Sequence, residues 1–362
     1  MPKQNKNLST IYFYSTQHCN LLCRHCWLSP PFTRDREEYV DKVKDEITLD
    51  QMKWAIDEAL ELGLKGIKLT GGEPFLRPDI LDFIEYFHNK GLYSWIETNG
   101  TLIDRDMARA LQHFNISQIS VSIDGPSATE HDKFRGIAGS FDKAIKAIKL
   151  LVKYNIPVQI IFSLYRGNLP HLWETISLAR SLKVRSLKIN PLALMGRALN
   201  LKKRGQTLNI KELLGLNKEI EKGNSRGNPP EILFDLPLAF QSIRSLMSGR
   251  GARCDILNIL GILADGSVSF CGVGSQEKEL IMGNIKWDSL RKIWHENEIL
   301  KEMRRKIPLG LEGICKKCIM KHVCLGFCRA QVYTLEKNFT SSPWFCEQAL
   351  RLGLFPQSRL MD

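Results

Sequence analysis

Near the start of the chain, Cys19-Asn20-Leu21-Leu22-Cys23-Arg24-His25-Cys26 places three cysteines at the spacing C-x3-C-x2-C. They follow the β-branched and aromatic run Ile11-Tyr12-Phe13-Tyr14, so a loop leaving a strand here can turn the three sulfurs toward one point. Three thiolates are one short of the four that hold an ordinary 4Fe-4S cluster, and the remaining iron would stay open to a small-molecule ligand. The spacing by itself also allows three ligands of a tetrahedral zinc ion.

The elements that must position these thiols come next. From residue 11 to about 195 short apolar runs alternate with longer amphipathic ones. The pattern predicts strands over 11–15, 66–69, 93–97, 116–123, 158–162 and 186–189. Helices are predicted over 49–62, with Met52, Ala55, Ile56, Ala59 and Leu60 on one face, and over 141–154. Repeated βα units mean parallel strands under outer helices, with chemistry at the carboxyl ends of the strands. Polar motifs fall at those ends: Thr70-Gly71-Gly72-Glu73-Pro74, Glu97-Thr98-Asn99-Gly100, and Ser120-Val121-Ser122-Ile123-Asp124-Gly125 followed by Arg135. Residues 196–253, broken by Gly196, Gly205, Gly215, Gly223 and Asn228-Pro229-Pro230, read as a connector with some helix.

The chain is 362 residues long, enough for a large domain and a smaller appended one. No stretch approaches eighteen uninterrupted apolar residues, and the start lacks the apolar core of a signal peptide, so a cytoplasmic protein is expected. In a reducing compartment ten cysteines point to metal or redox chemistry rather than disulfides. The net charge of +12 comes from scattered basic residues, which read as a solvated surface rather than a nucleic-acid or membrane footprint. An acidic peptide partner stays compatible with it.

In its cysteine triplet, Gly71-Gly72-Glu73-Pro74 and the strand-end motifs, the chain resembles the radical S-adenosylmethionine (SAM) enzymes. The resemblance implies a partial six-stranded (β/α)6, TIM-like barrel, an α/β fold. It implies a 4Fe-4S cluster on Cys19, Cys23 and Cys26, whose open iron is chelated by SAM before electron transfer cleaves SAM to a 5'-deoxyadenosyl radical. It further implies SAM contacts from Gly71, Gly72, Glu73, Pro74, Asn99, Ser122, Asp124 and Arg135, the arginine fork suiting the SAM carboxylate. The position before the third cysteine, usually aromatic in the family and packed on adenine, is His25 here, with Trp27 beyond it.

Seven further cysteines, Cys254, Cys271, Cys315, Cys318, Cys324, Cys328 and Cys346, lie in the last part of the chain. A hairpin is expected at Ala264-Asp265-Gly266-Ser267 between the first two, and C-x2-C-x5-C-x3-C covers residues 315–328. Any single pair would suit a zinc ribbon. The full set resembles the SPASM extension of radical SAM enzymes, which holds two auxiliary clusters, giving three 4Fe-4S clusters in all. The resemblance assigns Cys254, Cys271 and Cys328 to an inner cluster, and Cys315, Cys318, Cys324 and Cys346 to an outer one. Members of the sulfatase-maturase type have an eighth cysteine shortly after the first; here 255–260 has none, so the inner cluster has an open iron or an oxygen ligand such as Asp255.

The expected organisation is a barrel over 1–195, a connector over 196–253 and the cysteine-rich SPASM domain over 254–362. The expected activity is maturation of a ribosomally made precursor peptide, with a thioether crosslink as the leading product and a carbon-carbon or carbon-oxygen crosslink next. The electron would come from an external donor such as a ferredoxin or flavodoxin, and neither nucleic acid nor membrane is expected as a partner. A formylglycine-forming sulfatase maturase would carry an aspartate after the second extension cysteine, where this chain has Gly272. A non-enzymatic iron-sulfur or zinc module would leave the Cys19 triplet and Gly71-Gly72-Glu73-Pro74 unexplained.

Overall fold

The computed structural model describes residues 7–223, 229–247, 249 and 254–361; the first six residues and Asn228 lie outside them. Six parallel strands, β1 (Thr10–Tyr14), β2 (Gly66–Thr70), β3 (Tyr93–Thr98), β4 (Ile116–Ser122), β5 (Val158–Leu164) and β6 (Ser186–Pro191), pair in chain order with helices between them. The sequence pattern places each of them to within two residues. The predicted helix over 49–62 is Leu49–Glu61, started by a capping box in which Thr48 and Gln51 satisfy each other's backbone amides. Its Met52, Ala55, Ile56 and Ala59 are buried, and Leu60 is partly so.

The connector contributes more than sequence suggested. It supplies a seventh parallel strand, β7 (Glu231–Phe234), beside β6. At four residues, just after two prolines, it is too short to show a strand period. At the opposite edge β8 (Ile259–Ile262) pairs in parallel with β1. It turns at Gly266 into β9 (Ser267–Ser269), which pairs with the two-residue β10 (Gly283–Asn284). The predicted hairpin therefore extends the barrel sheet, and ten strands form one ladder with β7 and β10 at its edges.

Side chains alternate across this sheet. Ile11, Phe13, Ile67, Leu69, Ile119, Val121, Ile160, Phe162, Leu187 and Ile189 belong to the apolar core beneath the helices, as where Phe13 meets Phe83 at 5.4 Å. The intervening positions are polar and meet one another. Ser120 donates to Gln159, whose amide donates to Ser186, and Lys68 pairs with Glu97 at 2.6 Å while lying over the Tyr12 ring. Lys188 reaches Asp235, just beyond β7, at 3.1 Å.

Candidate active site

The cysteine loop leaves the end of β1 and is pinned from three sides. Leu22 and Arg24 amides donate to the carbonyls of Arg135 and Phe134, the Arg197 amide donates to Cys26, and Cys19 exchanges backbone bonds with the 31–33 segment. Gly72 sets how close the loop lies to β2. A Cβ there would fall 1.8 Å from the His18 carbonyl oxygen, while the amides of Gly72 and Glu73 donate to Thr16 and His18. The first role of Gly71-Gly72 is thus to let the cysteine loop dock on the strand end.

Cys19, Cys23, Cys26, His25, Gly71, Gly72, Asn99, Ser122 and Arg135 line one cavity of about 360 Å³ at the carboxyl ends of the strands. Asn99 Nδ2 lies 3.9 Å from Cys19 Sγ and Arg135 Nη1 3.5 Å from Cys23 Sγ. Burial raises the thiols of Cys19 and Cys23, and in Cys23 the neighbouring guanidinium opposes that rise.

Three expected SAM contacts do not line the cavity. Glu73 is fully buried, and its carboxylate accepts from the Thr98 hydroxyl at 2.7 Å, the Asn99 amide at 2.8 Å and the Phe75 amide at 3.2 Å. Burial still pushes its pKa up. Its place is that of a brace holding the end of β3. Pro74 begins the buried turn Pro74–Leu76. Asp124 is buried 2.6 Å from Arg135 Nε, an ion contact without hydrogen-bond alignment, and accepts from the Ser163 amide. Burial pushes Asp124 up and works against the Arg135 charge. Asp124 and then Cys23 outweigh that for the arginine, which is held firmly protonated, and this direction governs the pair. Asp124 thus aims the fork of Arg135 into the cavity.

His25 stacks on Phe134 with ring centroids 4.4 Å apart, and Phe134 stacks in turn on Tyr165 at 4.3 Å. Burial, then Arg135, depress the His25 pKa, so the ring is neutral, and its Nδ1 is buried without a partner. A flat neutral ring at the cavity wall with a free polar atom fits a stacked, hydrogen-bonding heterocycle.

The cavity continues to the other cysteines. Cys328 lines it, together with Asp235, Trp344 and Phe345. Cys254 is raised to about 12 by burial and then by Cys328, and Cys271 is raised by burial, Cys328 and Cys254. Cys315, Cys318, Cys324 and Cys346 line a second, small cavity, and the first three all act on Cys346. Among the described residues no three His, Cys, Asp or Glu side chains converge on a single-ion site. Eight of the ten thiols instead line two pockets, a soft-donor set that fits iron-sulfur clusters. Asp255 is exposed, with both carboxylate oxygens taken by Asn258 Nδ2 at 2.9 and 3.0 Å.

Sequence reasoning missed Lys68, Glu97, Lys188 and Asp235 as a set. Glu97 is brought below its ordinary pKa, against burial, by Lys68 and then Lys188. Tyr12 beside them is raised by burial and then by Cys254. The signal was a lone lysine inside each of the strand runs Gly-Ile-Lys-Leu-Thr and Ser-Leu-Lys-Ile-Asn.

Comparison with known proteins agrees with this geometry. Residues 13–179 match the radical SAM superfamily, and residues 254–319 match the SPASM iron-sulfur cluster-binding domain. An AdoMet-dependent heme synthase of Methanosarcina barkeri is 29% identical, over 91% of this chain and 94% of its own length. A PqqA peptide cyclase of Ruegeria pomeroyi is 26% identical, over 92% and 86%. The crystal structure of Streptococcus suis SuiB bound to precursor peptide SuiA superposes with a TM-score of 0.74 at 16% identity, over 95% of this chain and 78% of that one. Among the described residues no helix is long and apolar enough to cross a membrane. With the domain matches, the whole-length fold and the grouped thiols in agreement, the chain belongs to the radical SAM enzymes and carries a C-terminal SPASM domain.

Proposed function

We propose that this protein is a radical SAM/SPASM maturase with three 4Fe-4S clusters that crosslinks a ribosomally made precursor peptide, by a thioether as the leading product. The observation that carries the reading is one cavity lined both by the cysteine triplet and by Cys328. A peptide held there would meet both the triplet's site and that of Cys328. The PqqA cyclase relative and the peptide-bound SuiB fold support a peptide substrate.

When bound, SAM and the clusters supply the 5'-deoxyadenosyl radical and accept the surplus electron. The chain's own groups do the rest. Cys19, Cys23 and Cys26 would hold the first cluster, and Cys254, Cys271 and Cys328 the inner one. Arg135, kept charged by Asp124, offers a fork to the SAM carboxylate, while Asn99 and Ser122 present polar atoms beside it. His25 would face the adenine. Leu236, Phe327, Trp344 and Phe345 wall the cavity against water, which protects a carbon radical and orients its partner. Reduction by a ferredoxin or flavodoxin in a cytoplasmic setting, and the division at 1–195, 196–253 and 254–362, complete the proposal.

A second reading is oxidation of a tetrapyrrole side chain, favoured by the heme synthase relative. Anaerobically reconstituted protein given SAM and dithionite should release 5'-deoxyadenosine. Precursor peptides encoded beside the gene should then gain a crosslink, read as a loss of two hydrogens by mass. Turnover of an iron porphyrin with no change in any such peptide would overturn the peptide reading in favour of the second one.

A further inference from the structure

Arg329 is fully buried. Its guanidinium donates to the carbonyls of Phe339 at 2.9 Å, Ser341 at 2.8 Å and Gly326, and its Nε has no partner. Among the described residues no carboxylate comes within ion-pair distance of it. Gly326 belongs to the same arrangement: at φ +77° it passes under the guanidinium, and a Cβ there would sit 2.5 Å from Arg329 Cζ. The backbone is therefore shaped to bring a cation into the interior with no protein anion to meet it.

Such an arrangement is costly. A guanidinium does not shed its proton in proteins, and carbonyl dipoles compensate only part of a buried unit charge. The missing negative charge has an evident location. Arg329 follows Cys328 directly, and Gly326, whose carbonyl its guanidinium meets, lines the pocket of Cys315, Cys318, Cys324 and Cys346. Thiolate-ligated iron-sulfur clusters are anionic, so both auxiliary sites would present negative charge to this one cation.

We propose that Arg329 is the shared counter-ion of the two auxiliary clusters, next to ligands of both and joining their assembly. Loading then couples to folding, because each cluster that forms supplies charge to a cation the apo protein leaves uncompensated. The inference rests on the reading that two auxiliary clusters are present, and the iron content of the unaltered protein tests that reading separately.

The experiment compares Arg329→Gln and Arg329→Lys in the full-length chain, reconstituted anaerobically with iron and sulfide. Iron per chain, the electron paramagnetic resonance of the reduced clusters, and thermal unfolding before and after loading are measured. Arg329→Gln should lose iron from both auxiliary sites while keeping the first-cluster signal and SAM cleavage. Its apo form should melt no lower than the parent's, since a buried charge has gone. Arg329→Lys should keep the auxiliary iron. The proposal is overturned if Arg329→Gln loads both clusters with parental content and midpoints. Equal loss in both variants, or equal destabilisation of apo and loaded protein, would also overturn it, by showing that Arg329 only ties three carbonyls together.

Discussion

Two buried arginines stand beside cysteines in this molecule, and their surroundings differ. Arg135, next to Cys23, has Asp124 at 2.6 Å, itself held by the Ser163 amide. Arg329, next to Cys328, has backbone carbonyls and an unpartnered Nε. The first site is thus charge-balanced by the protein itself, whereas the auxiliary region awaits charge from outside. On the counter-ion proposal, the Arg135 charge is balanced before any cluster arrives, and the Arg329 charge only as clusters form. A region whose stability depends on its cofactor ties folding to loading.

The largest effect should come from removing the first site's thiols. Replacing Cys19, Cys23 and Cys26 together with alanine should abolish 5'-deoxyadenosine formation and lower iron by about four atoms from about twelve. Auxiliary spectra should persist, because Arg329 and its neighbours are untouched. Residual SAM cleavage in that variant would break the division of labour between the regions.

Asp124→Asn comes next and probes the balanced pair directly. Removing one partner of a buried ion pair costs about 3–5 kcal/mol, because the remaining charge is stranded. The loss should appear equally in apo and loaded protein, in contrast to the loading-dependent behaviour expected at Arg329. Chemical unfolding of both forms is the measurement, and a deficit confined to the loaded protein would erase the contrast.

A smaller effect lies in acid. His131 is buried, its Nδ1 accepts from the Asp124 amide, and burial, then Arg135, depress its pKa to about 3. The unfolded chain binds this proton near pH 6.5, so stability should fall as pH drops below that value and continue falling toward pH 3. Between pH 6.5 and 5 the loss should be about 2 kcal/mol, and His131→Gln should remove it. The described buried residues of the auxiliary region include no histidine, so acid should act first on the barrel. An unchanged slope in the variant would place the sensitivity elsewhere.

What could be read beforehand follows the same division. The barrel strands and the Leu49–Glu61 helix were visible because their apolar periodicity is local, and the triplet because its three ligands span eight residues. The strand β7 was hidden by its brevity. Glu73 was misplaced because sequence shows a carboxylate beside two glycines but not that Thr98, Asn99 and Phe75 claim it. The seven C-terminal cysteines span residues 254–346 with no periodic pattern, so their grouping needed the family resemblance. Arg329 looked like any other arginine, since its isolation from carboxylates is a property of the fold alone.

The finest test of the contrast concerns the inner set, where three thiols serve a cluster that usually takes four. Asp255 was the available oxygen donor in the sequence, but it is exposed and engaged by Asn258, whereas Cys328 opens directly onto the substrate cavity. On the proposed peptide-maturase reading, a cysteine of the peptide would be the fourth ligand. Thiolate is the soft donor such iron prefers, and coordination keeps the sulfur deprotonated near neutral pH, beside the carbon that will carry the radical. The effect is a change of one ligand, expected as a shift in the spectrum without loss of iron. Spectra of the Cys19, Cys23 and Cys26 triple variant, taken with and without cognate peptide, isolate the auxiliary clusters for this purpose. The shift should appear with the peptide and vanish when its cysteine is replaced by serine. Spectra indifferent to the peptide, together with loss of the inner cluster in Asp255→Ala, would mean that the protein closes the site itself and that the auxiliary region completes its own coordination as the barrel completes its own charge.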